Sequence, residues 1–128
     1  MVYNYFFNRY LHLMEKFLLI RRLDATNKGN QAYESLAEYT PVMDKWIQSL
    51  HESGHYSSGS ALSMNNQHVT RDLVTADYIY HEMDEGISGY DVILAENLDE
   101  AVSIAKTCPL LIKGIVVFEV RPIVPLIR

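Results

Sequence analysis

Cysteine is nearly missing from this chain. Cys108 stands alone among 128 residues, so no internal disulfide and no paired-cysteine zinc or redox site is available. Such usage fits a reducing compartment, and a cytoplasmic location is expected. Positive charge is also scarce: eleven Lys and Arg against sixteen Asp and Glu leave a net charge of −5. Apart from the adjacent Arg21 and Arg22 the basic residues are scattered, which excludes the basic stripe that nucleic acid requires. No apolar run approaches the roughly 20 residues that span a bilayer. Asn4, Asn8, Arg9 and His12 break the aromatic start of the chain before it can form a signal-peptide core, so no membrane partner is expected. Internal repeats, low-complexity tracts, GxSxG, Walker and GxGxxG motifs are all lacking. No cofactor is implied.

What is present is the composition of one ordinary globular domain, 48% hydrophobic and 21% charged, with enough chain for one core. Phe17 to Arg22 reads as a strand that opens into the polar loop Asp24 to Asn30. Thr40-Pro41 reads as a helix start, with Thr capping and Pro at the first helical position. Val42, Met43, Trp46, Ile47 and Leu50 recur behind it at helical spacing, and Gly54 follows as a stop. Tyr56 to Ser63 suits a strand with one solvated face. His68 to His81 suits a hairpin arm, and Gly86, Ser88 and Gly89 punctuate a loop. Tyr90 to Ala95 is the next strand. Asn97 caps a second helix with Glu100 in capping-box position, Pro109 ends it, and Gly114 to Val120 is the last strand, stopped by Pro122 and Pro125.

Two helices separated by strands, with an apolar strand at each end, form the split βαβ pattern of an α+β, ferredoxin-like fold, an antiparallel sheet with both helices on one face. The other face would be a large apolar patch unless covered, and a second copy is the expected cover, giving a homodimer.

Several segments resemble the YCII-related (DGPF-type) family. Met14 to Arg21, MEKFLLIR, is similar to its opening strand, and Asp77 to Tyr90, DYIYHEMDEGISGY, to its signature. Within that stretch Asp77, Tyr80, Glu82, Glu85, Gly89 and Tyr90 fall on matching positions, whereas Tyr78-Ile79 replaces Gly-Pro and Asp84 replaces Lys. Asn97 to Ala101 with Cys108-Pro109, and Phe118 to Ile123, complete the likeness over Met14 to Ile123. The resemblance implies a dimeric α+β barrel over residues 14–128, with 1–13 as an amino-terminal extension. Where some relatives carry a His read as catalytic, this chain has Met43, which cannot transfer a proton.

Candidate chemistry is sparse. His51 and His55 stand four apart, a metal-ligand spacing, but Gly54 between them is expected to end the helix first, and no metal site is assigned. Asp77, Glu82, Asp84 and Glu85 crowd four carboxylates together. Such crowding raises carboxyl pKa values and suits acid–base work, although charge runs are more often solvated loops. Glu82, Glu85 and His81 are the catalytic candidates. Glu119 and Arg121 share a strand face by period-two alternation. With Asp77 they are the ligand-binding candidates, or else a strut that organises the dimer. The leading reading is a dimeric domain that binds a small polar or anionic molecule in a cleft at the sheet and dimer face. The rivals are a lyase or isomerase of small oxygenated rings and a structural or regulatory interaction module.

Overall fold

The computed structural model describes residues 14–24, 36–63, 65–75 and 86–125. The order is β1 (Glu15–Leu23), a 3-10 turn (Leu36–Tyr39), α1 (Thr40–Glu52), β2 (Tyr56–Ala61), β3 (His68–Val69), β4 (Val74–Thr75), β5 (Ile87–Ala95), α2 (Leu98–Ala105), α3 (Pro109–Ile112) and β6 (Val116–Pro122). Four strands make one antiparallel sheet in the order β2-β5-β1-β6, and β3 and β4 pair as a separate two-stranded ribbon. The fold is therefore α+β. The proposed extension, residues 1–13, lies outside the described residues.

Alternation along the strands decides which side the helices cover. Phe17, Leu19, Arg21 and Leu23 of β1 are buried on the helix side, as are Asp91, Ile93 and Ala95 of β5. Met43, Trp46 and Leu50 of α1 close over them with Ala101, Ile104 and Ala105 of α2, and Cys108 and Leu110 fill the corner before and within α3. Trp46 sits at the centre of this layer. Its ring stacks on Phe118 of β6 at 6.4 Å, and its indole Nε1 donates to Thr107 Oγ1 at 2.8 Å, so the one polar atom of the ring is satisfied.

Local chemistry explains most of the boundaries. Gly54 adopts φ +80°, the conformation that glycine tolerates best. There Gly54 N–H donates to His51 O and His55 N–H to Leu50 O, a Schellman end that leaves few carbonyls of α1 unsatisfied. Asn97 Oδ1 accepts from Glu100 N–H at 2.9 Å, while Glu100 Oε1 reaches back to Glu96 N–H.

Five local readings need correction. Tyr39, not Thr40, occupies the α1 cap position, and no side chain caps it; Pro41 still falls in the first turn. Val42 lies 40% exposed, one step off the buried stripe. Pro109 opens α3 as well as following α2, because a residue without an N–H fits a first turn. Pro122 is the last residue of β6 rather than a stop beyond it, which is permissible because β6 is an edge strand. Gly86 does precede a strand, but Ser88 and Gly89 lie inside β5, for a reason that emerges at the site.

The core position of Trp46 gives a direct test. Trp46→Ala should lower unfolding free energy by about 3–5 kcal/mol, and Trp46→Phe by about 1 kcal/mol more than its lost area accounts for, through the orphaned Thr107 hydrogen bond. Urea melts of the two variants measure both.

Candidate functional site

Two charged side chains face the helices from the central strands. In the β1–β5 register Arg21 lies opposite Gly89 and Leu19 opposite Asp91, so Arg21 and Asp91 are diagonal neighbours on one face. Arg21 Nε stands 3.3 Å from Asp91 Oδ2, with the two side chains 11% and 1% exposed. Tyr56 of β2 donates its phenolic O–H to Asp91 Oδ1 at 2.8 Å, and Arg21 Nη2 donates to the Ser60 carbonyl at 3.3 Å. Arg21 Nε and Asp91 Oδ2 have no hydrogen bond of good geometry; their attraction is that of an ion pair.

Two glycines make this arrangement possible. A Cβ on Gly89 would lie 2.3 Å from Arg21 Nη2, and one on Gly59 would lie 2.3 Å from the Tyr56 hydroxyl and 2.6 Å from Asp91 Oδ1. The register is shifted beside each of them. Ser88 is extra on β5 opposite the Arg21–Arg22 step, and Ser57 is extra on β2 between Tyr56 and Ser58. Each such bulge re-aims the residues beyond it. Gly89 therefore sits inside a strand because Arg21 must cross the space a side chain would take.

The same small residues leave a cavity of about 500 Å3 over this end of the sheet, within the size range of small-molecule sites. Gly59, Ala61 and Ser88 supply little side-chain volume to fill it. Arg21, Asp91 and Tyr56 form its polar end, Met43, Ile47 and Leu110 its apolar wall, and Thr40 and Asp44 of α1 line it from the helix side. Met43 Sδ also meets Cys108 Sγ at 3.7 Å.

Burial sets the proton affinities. It pushes the Asp91 carboxyl above its ordinary value, against the lowering pull of Arg21 and the Tyr56 hydrogen bond. Burial, together with the bond to Asp91, raises the Tyr56 phenol, which stays neutral. Burial likewise raises the Cys108 thiol, so neither group is prepared as a nucleophile. The polar end of the cavity thus offers a fixed guanidinium and a carboxyl that holds its proton more tightly than usual.

Comparison with known proteins finds no family model that matches the chain and no curated protein significantly similar to it.

Of the residues singled out in the sequence, Asp77, His81, Glu82, Asp84 and Glu85 lie outside the described residues. Glu119 and Arg121 do share a face, opposite the helices. Arg121 Nε pairs with Glu119 Oε2, and Arg22 Nη2 reaches Glu119 Oε1 at 3.3 Å, and Arg121 foremost holds the Glu119 carboxyl below its ordinary value. These three belong to the open face of the sheet, remote from the cavity. His51 leans on the Tyr56 ring, centroids 4.8 Å apart, whereas His55 bonds the Leu94 carbonyl at 2.8 Å. No cluster with metal-ligand geometry occurs among the described residues. Sequence reading missed Arg21, Tyr56 and Asp91. A signal for two of them was present: an Arg and an Asp stand at inward positions of otherwise apolar strands, in Phe17-Leu19-Arg21-Leu23 and Asp91-Ile93-Ala95.

Removing one partner of the pair should be worse than removing both. Asp91→Leu leaves Arg21 buried and uncompensated and should cost about 3–5 kcal/mol. Arg21→Met combined with Asp91→Leu should recover most of it. The pH dependence has a defined sign. Because the folded Asp91 value is raised, its contribution is full below the ordinary carboxyl value and is lost as pH rises through the folded one. Urea melts of the double-mutant cycle from pH 4 upward measure both effects. An Asp91→Leu variant as stable as wild type would show the pair to be inconsequential.

Proposed function

We propose that this chain is a YCII-related, ferredoxin-like domain that pairs into a dimer and binds a small anionic molecule in the cavity beneath α1. The cavity's immobilised guanidinium carries this reading. Arg21 is held by Asp91, by the Ser60 carbonyl and by close approach to Gly89. A fixed planar fork is the group best suited to a carboxylate or phosphate oxygen pair. The wall of Met43, Ile47 and Leu110 suits a ligand with an apolar body. The strand order, with α1 joining β1 to β2 and α2 and α3 joining β5 to β6, supports the ferredoxin-like assignment. In the family resemblance Met43 stands where some relatives have His, and its side chain lines this same cavity, which supports locating the ligand here.

The cavity reading uses ligand panels as its test. Benzoate, added to uniformly labelled protein, should shift the amide resonances of Gly59, Gly89 and Ile47, with neutral benzamide weaker and benzylamine without effect. Arg21→Met should weaken benzoate at least tenfold, about 1.4 kcal/mol. Shifts confined to the strand around Arg121, or a preference for benzylamine, would overturn the assignment.

Dimerisation is proposed through the open face. Leu18, Ile20, Val92, Leu94 and Val117 are only partly buried there, and Arg22 and Arg121 flank Glu119 on the same side. An apolar centre with both signs of charge beside it is complementary to a two-fold copy of itself. Sedimentation at micromolar concentration should give a dimer, and Val92→Arg a folded monomer. A wild-type monomer would contradict the proposal.

A second reading, a lyase or isomerase, draws on Asp91. A carboxyl with raised proton affinity beside a fixed cation is the kind of pair that moves a proton on a bound oxyacid.

A further inference from the structure

The cavity holds too much negative charge for an anion to enter alone. Among the described residues its lining carries one cation, Arg21, and two carboxylates, Asp91 and Asp44. Asp91 is fully buried and Arg21 nearly so, so bulk solvent screens little of either charge. A ligand carboxylate at the Arg21 guanidinium would become a third negative group. Like charges held close where solvent screening is weak raise one another's proton affinity.

We infer that an anion enters this cavity together with one proton, which is taken up at Asp91, so that Arg21 exchanges one counter-ion for another. This rests on the ligand site proposed above. The proton passes from solvent or buffer to an Asp91 carboxylate oxygen. The O–H bond formed there makes Asp91 neutral, the ligand keeps its negative charge, and the net charge around Arg21 is unchanged. Among the described residues, no other group facing Asp91 can take that role. Arg21 on β1 remains cationic. Tyr56 on β2 already carries its proton and donates it to Oδ1. Cys108, in the corner before α3, is buried and kept as a thiol. Asp44 on α1 is exposed, where water already stabilises its charge. Among the described residues, Asp91 alone is both buried and in contact with the cation that the ligand would share.

Tyr56 makes the exchange cheap in structure. Its hydroxyl both donates and accepts, so it can serve the carboxylate before uptake and the carboxylic acid after it. The consequence is selectivity: small carboxylates gain affinity as pH falls, whereas neutral amides of the same shape, which bring no charge, do not. Affinity should fall up to tenfold per pH unit across the window between the free and ligand-bound Asp91 values.

Isothermal titration of the full chain with benzoate tests this, in buffers of low and high ionisation enthalpy, at a series of pH values from just above the ordinary carboxyl range upward. Proton uptake should approach about one per benzoate bound within that window. Benzamide should show none, and Asp91→Asn should bind benzoate with pH-independent affinity and no uptake. Carboxyl carbon resonances of the wild type give the same reading without a variant: the Asp91 signal should move toward the protonated position when benzoate is added. Benzoate binding without proton uptake, or uptake lost in Asp44→Asn but kept in Asp91→Asn, would overturn this inference and leave the ligand site standing. Failure of benzoate to bind at any pH would overturn the ligand site itself.

Discussion

Placing a guanidinium and a carboxylate on the helix-covered face of a sheet takes two charges out of water at a cost of several kcal/mol each, and their attraction offsets this only when the geometry is held. Arg21 and Asp91 are held by backbone design as much as by each other. The pair is diagonal across β1 and β5, Gly89 leaves room for the guanidinium, Gly59 leaves room for the Tyr56 hydroxyl, and the bulge at Ser57 brings Gly59 opposite Asp91. A hydrophobic pair of similar volume would pack without any of these devices. Their presence together is what separates this end of the domain from an ordinary core.

The rest of the architecture divides around that cluster. At one end of the sheet Phe17, Leu19 and Ile93 are large and closely covered by Trp46 and Leu50. At the other, Gly59, Ala61 and Gly89 supply almost no volume, and α1 spans the gap with Met43 and Ile47. The packed end provides stability and the depleted end provides space. The reverse face of the same sheet repeats the contrast in charge: Arg22, Glu119 and Arg121 are grouped at the side of a stripe of partly buried aliphatic residues. Arg21 and Arg22, adjacent in sequence, serve opposite sides of one sheet: the proposed ligand face and the proposed association face.

Much of the fold was legible because period and punctuation agreed. The stripe through Trp46, the stop at Gly54 and the cap at Asn97 all follow from side-chain spacing, glycine chemistry and capping. The candidate site was much less legible. Arg21 and Asp91 looked like polar interruptions of good strands, and Tyr56 like the start of a solvated one. Recognising them required the β1–β5 register through Arg21 and Gly89, and Ser88 and Gly89 in sequence look like a loop. Glu119 and Arg121 were found on a shared face, yet which face held a cavity depended on the size of residues on β2 and β5, which no motif marks.

The central claim is that Arg21 is a locked guanidinium, and its side-chain nitrogen resonances test that most directly. A guanidinium held by Asp91 and the Ser60 carbonyl cannot rotate freely, so Arg21 should show resolved Nη signals. Arg71, whose pair with Asp72 is 90% and 76% exposed and so opens readily to water, should show averaged ones in the same spectrum. Gly89→Ala should collapse the Arg21 pattern toward that of Arg71. Averaged signals from Arg21 in the wild type would contradict the account.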